Sequence, residues 1–180
     1  MEMIYKSARL EKQALSEREL ALINKQSLRE LNADEVFAFR LAACDNQVDR
    51  DNERFTENTL EQLAKMYIGK TVLLDHVWSA KSQTARIYNA YVSGEGDVKR
   101  LILCCYTVRT ESMADSISAI EGGILRVCSV GCTVEHVLCS ICGADQRTTL
   151  CQHRGGHEYD GKICHFDFVD ACEAYEVSLV

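Results

Sequence analysis

The chain has 180 residues, 47% of them hydrophobic, with a formal net charge of −7 and no proline. That length supports one domain with a real core, or one domain carrying a small insert. The acidic balance disfavours a general nucleic-acid binder, whose phosphate contacts need clustered Lys and Arg, and no apolar run approaches the ~20 residues of a membrane span.

In chain order, residues 7–31 (SARLEKQALSERELALINKQSLREL) place Leu10, Ala14, Leu20, Ile23, Leu28 and Leu31 on one stripe, which predicts an amphipathic helix packed on the domain. EVFAFRLAAC (35–44) predicts a strand, and the acidic DNQVDRDNERF (45–55) a solvated turn, since it lacks the glycine and terminal glutamate of an EF-hand loop. TENTLEQLAKMYIGK (56–70) predicts a helix capped by Thr56 or Asn58, with Leu60, Leu63, Ala64 and Tyr67 on one face and Gly69 as its stop. TVLLDHVW (71–78) reads as a short strand ending at His76. Residues 83–108 read as a hairpin turning at SGEGD. A helix is expected over 111–123, a strand carrying Ser129 over 124–137, and a last strand over 171–180. Strands and helices mix without regular βαβ alternation, which argues for an antiparallel α+β domain.

MEMIYKSARLEKQ has no apolar segment of a secretory signal. The ten cysteines are therefore expected as reduced thiols or metal ligands rather than as a disulfide framework. Cys44, Cys104, Cys105 and Cys128 sit in apolar runs and suit a core, whereas Cys139, Cys142, Cys151 and Cys164 sit among polar residues and glycines. Cys139-x2-Cys142 followed by Cys151-x-His153 has the paired spacing of a closed tetrahedral zinc site, with Gly143 allowing the turn behind the first pair. Such an ion is structural, because four protein ligands leave no open position. His153 is the nearest fourth ligand, and His157, Cys164 and His165 compete for that place.

Serine becomes reactive only beside a base, and the base needs a third group to fix its tautomer. Ser129 on one strand, His76 at the end of another and Glu176 on a third are compatible with that arrangement, although composition alone makes each an ordinary structural residue.

Taken in order, VDRDNERF, GKTVLLDH, QTARI, EGGILRVCSVGC and EVSLV resemble the motifs of tailed-phage prohead proteases, the capsid-maturation serine proteases related in fold to the herpesvirus assemblins. The likeness covers roughly residues 35–137 and 171–180. It implies a mainly antiparallel, β-barrel-like core flanked by helices, with Ser129 as nucleophile and His76 as general base. Where the assemblins carry a histidine this chain has Glu176, which becomes the orienting carboxylate. Asp75 is a poor partner for His76 if both lie on a strand, since neighbours point to opposite faces, and His157 is a lesser rival. Gly131 offers a backbone N–H to an oxyanion.

The resemblance further implies an endopeptidase of the host cytoplasm, working within the prohead on scaffold, on extensions of the major capsid protein and on itself. No nucleic acid or membrane is expected as a partner, and a homo-oligomer is compatible with the reading. The rival is a non-catalytic assembly protein of the same fold with a zinc-stapled interaction module. The domain division expected is an N-terminal helical segment at 1–33, a protease-like core at 34–137 and 171–180, and a Cys/His-rich zinc-binding insertion at 138–170.

Overall fold

Alternating apolar strands and one strongly amphipathic helix set the architecture. The computed structural model describes residues 4–6, 10–12 and 15–180. In chain order the elements are β1 (Ile4–Lys6), β2 (Leu10–Lys12), α1 (Glu17–Asn24), β3 (Val36–Asp45), β4 (Glu53–Phe55), α2 (Glu57–Tyr67), β5 (Thr71–Leu74), β6 (Ala85–Ser93), β7 (Arg100–Val108), α3 (Ala114–Glu121), β8 (Cys128–Cys139), β9 (Glu158–Tyr159), β10 (Lys162–Ile163) and β11 (Phe166–Leu179). The fold is α+β. One curled sheet, a half-barrel, runs β1-β8-β11-β5-β6-β7-β3-β2, with β4 also on β11, while β9 and β10 form a separate hairpin. The sheet is mixed rather than antiparallel throughout, because β4 and β5 both run parallel to β11.

Both faces of the sheet are covered. Helix α2 starts at Thr56, whose hydroxyl accepts the Thr59 N–H, and it buries Leu60, Leu63, Ala64 and Tyr67 as its spacing requires. These side chains meet Phe39 and Leu41 of β3, Leu103 of β7, Val130 of β8 and Val177 of β11, together with Ile117 and Ile120 of α3. A smaller cluster on the opposite face joins Ile23 of α1 and Leu31 to Tyr88, Cys104 and Tyr106. Cys44, Cys104, Cys105 and Cys128 are buried in these clusters, as expected of small core residues. Among the described residues no helix is long and apolar enough to cross a membrane.

The long helix expected over 7–31 is not formed; residues 7–9, 13 and 14 lie outside the described residues. Leu10–Lys12 instead pairs with the edge of β3, Leu10 opposite Leu41, where the backbone groups of an open edge strand find partners. Helix α1 begins at a capping box between Ser16 and Glu19 and stops after Asn24. The Asn24 side chain then binds both the N–H and the carbonyl of Leu31, folding the chain back and leaving Leu28 fully exposed.

Further corrections concern the strand ends. Part of the expected acidic turn, Glu53–Phe55, is strand β4. Strand β5 stops at Leu74, so Asp75 and His76 lie beyond it, both with left-handed backbone (φ 52° and 55°). Strand β8 starts at Cys128 rather than 124 and runs on to Cys139, β11 is longer than expected, and the two remain paired as far as Cys139 opposite Phe166. Residues 166–170 therefore belong to the sheet.

Leu60 has no exposed surface in the main cluster. Leu60→Ala is expected to cost about 2–5 kcal/mol, by lost transfer energy plus a cavity, read as a lower urea midpoint with an unchanged denaturant slope.

Candidate functional site

The site grows from the last turn of β11. Two register shifts, between Ala171 and Glu173 and between Ala174 and Glu176, reset the alternation of this strand. Val177 and Leu179 then enter the core, and Glu176 and Ser178 point to the other face. Both are buried. A buried carboxyl group needs partners on each oxygen, and Glu176 has them. Oε1 lies 2.8 Å from His76 Nδ1, and Oε2 accepts the Ser178 hydroxyl at 2.6 Å. Ser178 Oγ also accepts the His76 backbone N–H at 3.0 Å. One serine thus ties the carboxyl group to the backbone of the histidine it faces.

This network explains the strained turn. The Asp75 N–H donates to the Leu179 carbonyl, and the next N–H, that of His76, is taken by Ser178. A left-handed conformation costs a residue with a side chain on the order of 1–3 kcal/mol and persists only where its surroundings over-determine it. Here the turn brings the ring of His76 back over β11. With Oε1 accepting from Nδ1–H, Nε2 is left as the basic nitrogen. Nε2 is buried and has no hydrogen-bond partner among the described residues.

Gly131 has a steric role at this site. It lies opposite Glu176 in the β8–β11 ladder, and a Cβ there would come 2.7 Å from Glu176 Oε1. Glycine makes room for the carboxyl group to lie across β8. The buried Tyr67 hydroxyl donates to the Gly131 carbonyl at 3.1 Å. Burial, then the neighbouring Cys132, Cys44 and Glu176, hold that hydroxyl well above its ordinary pKa, so it remains a donor.

Ser129 is the direct register partner of Ser178 and shares the face of Glu176 and Ser178. Opposite residues in such a ladder have Cβ atoms about 4.5–5.5 Å apart. The backbone of β1 pairs along its other side, Tyr5 opposite Ser129. Ser129 is 0% exposed, and no hydrogen bond joins it to His76 Nε2. The structure therefore brings His76 and Glu176 into contact and sets Ser129 on their face, buried. Asp75 is exposed and not on a strand, and it is Glu176 that meets Nδ1 of the His76 ring.

A second cluster lies at the opposite end of the same two strands. Cys139, Cys142, Cys151 and His153 each offer a ligand atom, and these atoms all lie within 4.8 Å of one another. They could hold a metal ion. None of the ten cysteines is in a disulfide. Gly143, with φ 73°, turns the chain so that its N–H reaches the Cys139 carbonyl. His153 Nδ1 is buried without a hydrogen-bond partner among the described residues.

The donor set fits a cation by its charge as well. Burial tends to raise the Cys139 thiol, but the backbone N–H groups of Cys142 and Ile141 bring it below its ordinary value. Cys151 is lowered against burial by the N–H and the ring of His153. For Cys142 the N–H of Ala144 favours the thiolate, yet burial and the adjacent sulfurs of Cys139 and Cys151 push it up. A divalent ion would let all three ionise together. Of the competing ligands, His157 is exposed and outside the cluster, and His165 turns its Nε2 to within 3.4 Å of Asp167 Oδ1. Cys164 is buried, with its sulfur 3.9 Å from that of Cys139; burial first and then Cys139 push its pKa up to about 11.

Around the cluster the loop is ordered by polar contacts rather than by a core. Asp145 accepts N–H bonds from Val137 and Arg147 at Oδ1 and contacts His136 Nδ1 at 2.8 Å through Oδ2. The Arg147 guanidinium caps the Val134 and Glu135 carbonyls. The β9–β10 hairpin turns on Asp160-Gly161, both left-handed, as a two-residue turn of this twist requires.

Sequence reasoning missed Ser178, Tyr67 and the steric role of Gly131. A signal for Ser178 was present: two residues after Glu176 on a strand, it must share its face. Tyr67 carried no such signal, because its partner lies 64 residues away. Comparisons of the chain with protein-family models, with curated proteins and with solved structures each found no match.

Gly131→Ala should force the held carboxyl group of Glu176 to move, costing about 1–3 kcal/mol as overpacking does. The expected signature is loss of the downfield proton resonance of the His76 Nδ1–H, alongside a lower urea midpoint. For the insert, His136 is raised above 6.5 by the hydrogen bond to Asp145, and Asp145 is lowered from 3.8 to about 2, first by His136. The Asp145 contribution is complete above its ordinary pKa and fades as pH falls toward about 2; that of His136 is complete below 6.5 and fades as pH rises through its raised pKa. Loop protection in hydrogen exchange should be highest between those limits, and Asp145→Asn should flatten the profile.

Proposed function

We propose that the chain is a serine endopeptidase of the capsid-maturation type, with an assemblin-like core. Ser129 is the nucleophile, His76 the general base and Glu176 the group that orients it. The observation that carries this reading is the buried His76–Glu176 pair, 2.8 Å between Nδ1 and Oε1, with Nε2 left without a partner on the face that holds Ser129. A strained, left-handed histidine held by a buried carboxyl group is costly to maintain, and such cost concentrates at functional sites.

In the reaction Nε2 takes the Ser129 hydroxyl proton as Oγ attacks the peptide carbonyl. The leaving amine takes that proton as the acyl–enzyme forms, and water then releases the acyl group. Glu176 stabilises the imidazolium, and Ser178 keeps Glu176 in place. Hydrogen bonds of this kind tighten in the substrate complex, so the lack of a Nε2–Ser129 hydrogen bond suits a resting enzyme. The order of VDRDNERF, GKTVLLDH, EGGILRVCSVGC and EVSLV directs the activity to scaffold, to extensions of the major capsid protein and to the chain itself, within the prohead. Zinc is the ion we assign to Cys139, Cys142, Cys151 and His153, since three thiols and an imidazole in a closed set suit it best.

A second reading, a zinc-stapled assembly protein of the same fold without catalysis, is favoured by the complete burial of Ser129. Labelling with a serine-directed phosphonate separates the two. The protease incorporates the label at Ser129 and the assembly protein incorporates none.

Ser129→Ala should lower self or scaffold cleavage by on the order of 10⁶-fold and Glu176→Gln by about 10⁴-fold, both with the fold intact by circular dichroism. Equal cleavage by Ser129→Ala and the parent removes the nucleophile assignment. Elemental analysis should give one zinc per chain, lost with a strong chelator and in Cys142→Ser, with the 140–165 loop losing hydrogen-exchange protection before the sheet does.

A further inference from the structure

Cys164 is a buried thiol that neither the core nor the four-ligand cluster uses. Its sulfur lies 3.9 Å from that of Cys139. Two thiolates on one tetrahedral zinc, each about 2.3 Å from the ion, are separated by about 3.8 Å. Cys164 thus already stands at ligand spacing from a member of the cluster. Its position is fixed by backbone contacts at the base of the β9–β10 hairpin: its N–H donates to the His157 carbonyl, and its carbonyl accepts from the Gly156 N–H. Its sulfur has the His165 carbonyl at 4.0 Å and the Ser140 hydroxyl as further polar neighbours. Cys164 lies outside the four mutually close ligand atoms, yet its sulfur stands beside that of one of them, Cys139.

We propose that Cys164 is a standby ligand of this metal centre, which replaces His153 and converts a set of three thiolates and one imidazole into a set of four thiolates around the same ion. The inference rests on the metal site assigned above. In the exchange a metal–nitrogen bond breaks and a metal–sulfur bond forms. The Cys164 thiol gives its proton to solvent, and His153, whose ring packs edge-on against Tyr159 in the present cluster with centroids 4.5 Å apart, leaves as a neutral imidazole. Cys139, Cys142 and Cys151 are common to both sets.

The exchange has a structural consequence. Cys164 stands two residues before Phe166, and Phe166 is the register partner of Cys139. In the four-thiolate set the ion joins the end of β8 directly to the approach of β11. Those two strands carry Ser129 and Glu176.

The experiment uses the full chain, cobalt(II) as an optical probe and cadmium-113 as a magnetic one. The parent and Cys164→Ser should both bind one tetrahedral cobalt with the charge-transfer intensity of three thiolates. In His153→Ala that intensity should rise by about one third, as a fourth thiolate enters, and the cadmium-113 resonance should move downfield. The pair His153→Ala with Cys164→Ser should bind cobalt more than about 100-fold more weakly than either single variant. Should His153→Ala fail to fold, His153→Asn keeps bulk against Tyr159 without an imidazole and is read in the same way. A His153 variant that loses tetrahedral cobalt as completely as Cys142→Ser, or keeps it at three-thiolate intensity, overturns the standby role while leaving the site of three thiolates and one imidazole intact. Absence of tetrahedral cobalt from the parent chain overturns the metal site itself, and the standby ligand with it.

Discussion

The carboxyl group of Glu176, 2% exposed at the end of β11, is the constraint from which the surrounding structure follows. A group of this kind is tolerated away from water only when its oxygens are met by donors. His76 and Ser178 supply them. To bring His76 to Oε1, β5 must stop at Leu74 and the chain must turn through two left-handed residues. To give the carboxyl group its place, β8 must carry glycine at position 131. To aim Glu176 and Ser178 away from the core while Val177 and Leu179 enter it, β11 must shift its register twice. Each departure from regular sheet geometry in this corner serves the same few atoms.

The paired strands β8 and β11 separate two kinds of chemistry. Ser129 and Cys139 are ten residues apart on one continuous strand, which at about 3.3 Å per residue sets them roughly 33 Å apart along it. The sulfur cluster therefore lies too far away to act on Ser129 directly. What the two ends share is the register of the ladder. The insert between the strands has little core of its own, and its order comes from Asp145 and from Arg147 on the β8 carbonyls, beside the Cys/His cluster that could hold a metal ion. The sheet is stabilised differently, by α2 and α3 packed on one face and α1 on the other.

Burial works in opposite senses at the two ends. Around Glu176 it holds Tyr67 protonated as a donor and, through the Gly131 carbonyl, steadies the strand beneath the carboxyl group. Around Cys139 the same penalty on charge is countered by backbone N–H groups directed at sulfur. The first arrangement keeps a hydrogen-bonded carboxyl group from water, and the second suits thiolates that could gather round a cation.

Local chemistry was legible in the sequence. Thr56 and the apolar face of α2, the 83–108 hairpin, the Cys139-x2-Cys142 turn with its glycine and the pairing of Cys151 with His153 all depend on contacts within a few residues, where spacing dictates which atoms can meet. The class, α+β, followed from the mixture of those patterns. Tertiary structure decided what depends on sheet pairing. Leu10–Lys12 became a strand because an open edge of β3 needed backbone partners, although its residues fit a helical stripe. Parallel pairing of β5 with β11 brought His76 to Ser178 across 102 residues. The β8–β11 ladder returned Cys164 to Cys139 across 25. Backbone hydrogen bonding between strands carries no residue-specific signature, so the sequence named His76, Glu176 and the Cys/His ligands but not Ser178 or Tyr67, and only the register of the sheet determined which side chains would touch.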